Sequence, residues 1–169
     1  MDFQRLVVNL ERNADRIGLF VEGVSMDQSH WKPDPESWSI VEVINHLYDE
    51  ERLDFRVRLN LILYHPEQDW PPIDPKGWVE ARKYNERELV VSWQDFLKER
   101  KASLVWLKGL DRPNWEAACQ APWGIMKAGD MFAAWASHDL LHMRQLVELL
   151  RAYTVQLAGS YQVEYAGPW

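Results

Sequence analysis

The chain has 169 residues, 47% of them apolar and 27% charged, with a formal net charge of −7. That balance suits one folded domain over residues 1–169 and excludes a disordered chain. With no Lys/Arg cluster in an acidic chain, nucleic acid is not an expected partner.

No apolar run approaches the roughly 20 residues of a membrane span, so no membrane is expected either. The start carries Asp2, Arg5, Glu11 and Arg12, unlike the apolar core of a signal peptide. A single cysteine, Cys119, leaves no intrachain disulfide, and the expectation is a cytoplasmic protein with a buried, inert thiol there. Ten tryptophans imply either a heavy core or a wide aromatic pocket, and the count does not choose.

In chain order, Phe3, Val7, Leu10, Ala14, Ile17, Val21 and Val24 recur in steps of four and three, the stripe of an amphipathic first helix. "SMDQSHWKPDPES" then breaks the pattern with two prolines. A second helix starts at "WSIVEVINH", where Ser39 and Glu42 have capping-box spacing and Trp38 and Val43 could form a hydrophobic staple. It should run to about Leu63–His65, stopped by Pro66. Its inward stripe reads Val43, His46/Leu47, Glu50, Leu53, Val57 and Leu61, so a histidine and a carboxylate interrupt an apolar row.

"HPEQDWPPIDPKGW" holds four prolines and is read as irregular, followed by a short helix from Trp78 to Tyr84. A third long helix is predicted from about Ser92 to Gly109, with Phe96, Leu97, Leu104 and Leu107 as its apolar side. The fourth spans about Gly129 to Tyr153 on a stripe of Met131, Trp135, His138, His142, Gln145 and Leu149. The tail, 154–169, has no helical period and is expected to lie extended. No strand-rich region is apparent. The architecture implied is all-α: an up-and-down four-helix bundle in which the second and fourth helices run parallel.

Within the fourth helix stands "SHDLLHMRQL". Residues four apart on a helix sit one turn above each other, so His138 and His142 can offer two imidazole nitrogens to one ion. They occupy the buried stripe, where an imidazole without a partner is costly. A third histidine, His46, sits on the buried stripe of the second helix. At about 1.5 Å per residue it lies roughly 9–10 Å into that helix, and the pair roughly 13–20 Å into the fourth.

Three neutral imidazoles leave an open position, which suits catalysis better than a closed structural site. Zinc, nickel, cobalt and ferrous iron all accept imidazole, and spacing does not separate them. Gln145 and Glu50, one turn beyond His142 and His46, are placed to hydrogen-bond the ligands or a bound water, and Glu51 competes with Glu50 for that role. Glu42 reads as a cap and Asp139 as a surface or interface residue. His30 and His65 read as ordinary loop or helix-end residues. Trp31, Trp115, Trp123 and Met126, on the loops 25–38 and 110–127, are candidates for the pocket mouth.

"WSIVEVINHLYDEE", "LDRPNW", "SHDLLHMRQL" and the closing "YAGPW" resemble the DinB-like (YfiT-like) superfamily over most of the chain. The resemblance implies His46, His138 and His142 as a metal triad, a divalent ion (zinc or nickel first, iron or cobalt next) and a mirror variant of the four-helix bundle. It also implies a homodimer and a small-molecule substrate, with a low-molecular-weight thiol as a further partner. The resulting expectation is a metal-dependent enzyme, either a thiol-dependent S-transferase or a hydrolase, with Glu50 and Gln145 assisting. The alternatives are a metal- or ligand-binding stress-response protein without turnover, and a helical interaction protein without metal.

Overall fold

A computed structural model describes residues 1–169. Four long helices form the bundle: α1 (Phe3–Val21), α2 (40–64), α3 (Leu89–Lys108) and α4 (Ala128–Ala158). Short helices at Met26–His30 and Gly77–Ala81 and a 3₁₀ turn at Tyr84–Glu86 lie in the connections. No helix is long and apolar enough to cross a membrane.

The core has two halves, and their membership gives the path of the chain. One joins Val7 and Leu10 of α1, Phe55, Leu59 and Ile62 of α2, Leu107 of α3, and Met131 and Trp135 of α4. The other joins Ile17 and Val21, Ile40 and Ile44, Phe96, and Leu146 and Leu149 from the same four helices. Helices α1 and α4 therefore run one way, and α2 and α3 the other. A four-helix bundle is found as expected, but its helices do not alternate. Helices α2 and α3 run the same way and α2 and α4 are antiparallel, which corrects both the up-and-down order and the parallel run assumed for α2 and α4.

The cause is the proline-rich connection 65–88. An extended chain advances about 3.3 Å per residue against 1.5 Å for a helix, so this segment can return the full length of α2. It does so, and arrives beside the start of α2. There Ser39 Oγ donates to Asn85 Oδ1 at 2.7 Å and the Asn85 amide donates to the His30 carbonyl at 3.3 Å. Farther along α2, Tyr84 and Arg82 bond the buried Asp49 carboxylate. The crossover thus covers the outer side of α2, and nine of the ten residues Ile40–Asp49 are buried.

The start of α2 is built as its sequence specifies. Ser39 Oγ accepts from Glu42 N at 3.3 Å, while Glu42 Oε2 accepts from Ser39 N at 2.8 Å, satisfying two otherwise free donors. Halfway down, residues Glu50–Phe55 form a π-helical turn, whose wider spiral inserts one extra residue. The predicted stripe is shifted by that residue: Leu53 and Val57 are only half-buried, while Phe55, Leu59 and Ile62 take the core positions.

Two further expectations are corrected. Leu97 is exposed, because the inward side of α3 continues through Arg100 and Ser103. The tail is not extended from residue 154: nothing in "TVQLA" breaks a helix, so α4 continues to Ala158 and ends where Gly159 takes a φ of +61°. Beyond it the chain turns back until Trp169 lies against Arg151. The loop before α4 holds a small hairpin of β1 (Ala118–Ala121) and β2 (Gly124–Lys127).

Candidate metal centre

The structure brings the three predicted histidines together between α2 and α4. Nε2 of His138 lies 3.4 Å from Nε2 of His46 and 3.1 Å from Nε2 of His142. One nitrogen of each ring lies within 4.8 Å of the others. Antiparallel packing makes this meeting possible. Near the start of α2, His46 faces the middle of α4, and farther along α2 Phe55 stacks on Trp135 and contacts His138.

The rings are held neutral. Burial pushes His46 down to about 3, with the adjacent His142 adding to the shift. Burial likewise lowers His138, helped by His142, His46 and Arg100, and it lowers His142 against the opposing effect of its hydrogen bond to Gln145. Three unprotonated imidazoles with converging nitrogens are a donor set, since each lone pair can serve an ion only when its proton is absent.

The spacing also fits. Metal–nitrogen bonds of about 2.0–2.1 Å in a tetrahedral arrangement place ligand nitrogens roughly 3.3–3.4 Å apart, close to the two approaches made by His138. Zinc and the other borderline divalent ions meet these requirements.

Behind the convergent nitrogens lie Gln145 and Glu50. Gln145 Oε1 accepts from Nδ1–H of His142 at 2.8 Å, which fixes the tautomer and leaves Nε2 unprotonated. Glu50 Oε1 faces Nδ1 of His46 at 3.9 Å, longer than a hydrogen bond. Burial, with the Asp54 carboxylate second, pushes Glu50 up to about 8. Asp54 in turn lies 2.7 Å from Nε of Arg58.

Glu51 turns elsewhere. Together with Asp139 it surrounds Arg100, which is 2% exposed. Arg100 donates to Glu51 Oε1 at 2.8 Å, to both Asp139 oxygens at 2.7 and 2.9 Å, and to the Leu10 carbonyl at 2.8 Å. Trp135 Nε1 adds a bond to Glu51 and Asn13 one to Asp139. All four long helices are tied at this guanidinium. Asp139 is therefore a buried partner of Arg100, correcting its reading as a surface or interface residue.

The pocket wall also differs from expectation. The loops 25–38 and 110–127 sit at opposite ends of the bundle, because α3 ends and α4 begins in the half of the core away from the histidines. Trp115 packs on Phe3 and Phe132, and Trp123 on Trp70, at that far end. Met126 packs on the same far half of the core, and only Trp31, against Tyr153, stays at the histidine end. The aromatic wall is instead Trp38, whose ring is 4.9 Å from His46 and lies 6.4 Å from His142 at an angle of 6°. It borders an open pocket of about 670 Å³ that reaches His142 and Gln145. Glu42 is the cap expected, paired with Lys32. His30 bonds Met26 and Arg87 carbonyls away from the centre, and Cys119 is buried and unbridged.

Fold and cluster together define a four-helix bundle with a convergent three-imidazole centre. The model of the DinB superfamily matches residues 9–146, and the chain belongs to that family. Among solved structures it is similar to YfiT from Bacillus subtilis, with 18% identity over 90% of this chain and 87% of that one and a TM-score of 0.79. That protein is described as a probable metal-dependent hydrolase with an unusual four-helix bundle topology. No curated protein matches the chain in sequence.

Proposed function

We propose that the chain is a metal-dependent hydrolase of a small molecule, with His46, His138 and His142 as its ligands. The observation that carries this reading is the approach of three neutral Nε2 atoms to one point beside an open pocket. The description of YfiT as a probable metal-dependent hydrolase agrees with it.

A divalent ion held there would supply Lewis acidity, making water a nucleophile at neutral pH and polarising a substrate carbonyl. The chain's own residues do the rest. Gln145 holds His142 in the tautomer that presents Nε2. Glu50 faces Nδ1 of His46 from behind the ligand, not from the front of the pocket. Trp38 shields the rings and offers an apolar face to the substrate.

The test pairs metal analysis with turnover. Untagged protein should hold one equivalent of zinc or nickel and hydrolyse 4-nitrophenyl esters, and His142→Ala should lose both properties. Added glutathione should leave the rate unchanged, whereas a rate that requires a thiol points to S-transfer. A fully metallated protein silent towards esters, amides and thiols would leave binding without turnover as its role.

A further inference from the structure

The pocket beside His142 has α4 as its floor, and that floor is long. His142, Gln145, Leu149 and Ala152 follow one another along it, with Trp38 at the histidine end and Trp169 on the other side. Two arginines flank this row. Arg144 is exposed and already faces Glu148, at 3.4 Å. Arg151 is half-buried and has no carboxylate partner; its guanidinium lies 4.7 Å from the ring centre of Trp169. A guanidinium held against an aromatic face keeps its N–H edge available, and that edge matches the two oxygens of a carboxylate. The remaining acidic side chain of the pocket, Glu36, is exposed at the rim, where water screens it.

Nine residues separate His142 from Arg151, about 13–14 Å along a helix axis. Between them lies the apolar Leu149, and Ala152 follows directly after Arg151. We propose that the pocket takes an elongated small molecule whose carboxylate is bound by Arg151 while its reacting bond lies at the histidines. This rests on the hydrolase reading for the reacting end only; the anion end stands on Arg151 and Trp169.

Calorimetric titration of the zinc-loaded protein with decanoate and with decanamide tests the proposal without turnover. Decanoate should bind about tenfold more tightly than the neutral amide, the scale of one charge-assisted contact. Arg151→Gln should remove that difference, Arg151→Lys should restore part of it, and Glu148→Gln should tighten decanoate severalfold. Equal affinity for the two probes, or no measurable binding of either, overturns the proposal. So does decanoate binding that survives Arg151→Gln but is lost in His142→Ala, because the carboxylate then sits at the histidines. Binding through Arg151 in a protein that hydrolyses nothing would remove the hydrolase reading and leave this one standing.

Discussion

His142 and Gln145 share a 2.8 Å hydrogen bond in which the ring's Nδ1–H is the donor. One amide oxygen thereby decides which nitrogen of His142 faces the other two histidines. Gln145→Leu removes that acceptor without touching a ligand. Zinc affinity should fall roughly 10–100-fold, the usual effect of losing a ligand's supporting partner. Competition against a chromophoric chelator measures it, and an unchanged affinity would assign Gln145 to packing alone.

Zinc itself should stabilise the bundle, since its ligands come from two helices and converge only in the native state. At free zinc near 100 times Kd the gain is about 2.7 kcal/mol. For a chain of this size that is a rise in Tm of roughly 5–10 °C. In His46→Ala the rise should vanish, with scanning calorimetry as the readout.

Without metal, stability should depend on pH in two opposing ways. The buried histidines have folded pKa values below the ordinary 6.5, so below that pH the unfolded chain takes up protons that the native one refuses. Their contribution is complete above 6.5 and is lost as the pH falls toward the folded value of about 3 for His46. Glu50 has the opposite sign: raised from 4.5 to about 8, it contributes fully below 4.5 and loses its contribution as pH rises through 8. Three histidines outweigh one carboxyl between those limits, so chelated protein should be most stable near pH 6–7 in urea titrations. Glu50→Gln should remove the decline between about pH 6.5 and 8 and steepen the rise from 4.5 to 6.5.

Arg100 neutralises two carboxylates in the middle of the bundle. Arg100→Met would strand Glu51 and Asp139 without a counter-charge, at a cost of about 3–5 kcal/mol. Replacing all three together, Arg100→Met with Glu51→Leu and Asp139→Leu, should recover most of that loss. Urea midpoints of the single and triple variants decide the point; a single variant as stable as the parent would show that the cluster is not a tie.

Much of this was readable from residue order. The Ser39–Glu42 box announced the start of α2, and the 138/142 spacing announced a shared bearing, because both signals are local and obey helix geometry. The direction of α3 was not readable. It depends on a proline-rich segment whose length permits either a turn or a return, and periodicity is silent about which occurs. The π turn was equally hidden, since a stripe counted at 3.6 residues per turn sends Glu51 100° away from Glu50 while the wider spiral buries both. Arg100 did leave a trace: it stands four residues from both Phe96 and Leu104, where a charge on an inward row asks for a partner. Trp38 was visible only as a staple, because its place over two imidazoles arises from a contact between distant helices.

The widened turn at 50–55 divides α2 into two segments with separate phase. Above it the helix answers to the imidazoles and the crossover; below it, to Phe55 and the far half of the core. A one-residue deletion within 50–55 would straighten the helix and force one segment to rotate by about 100° against its surroundings. Either His46 would swing out of line with its partners, or Leu59 and Ile62 would leave the interior. The irregular turn therefore works as a phase adjuster, letting ligand geometry and packing be satisfied by the same continuous rod.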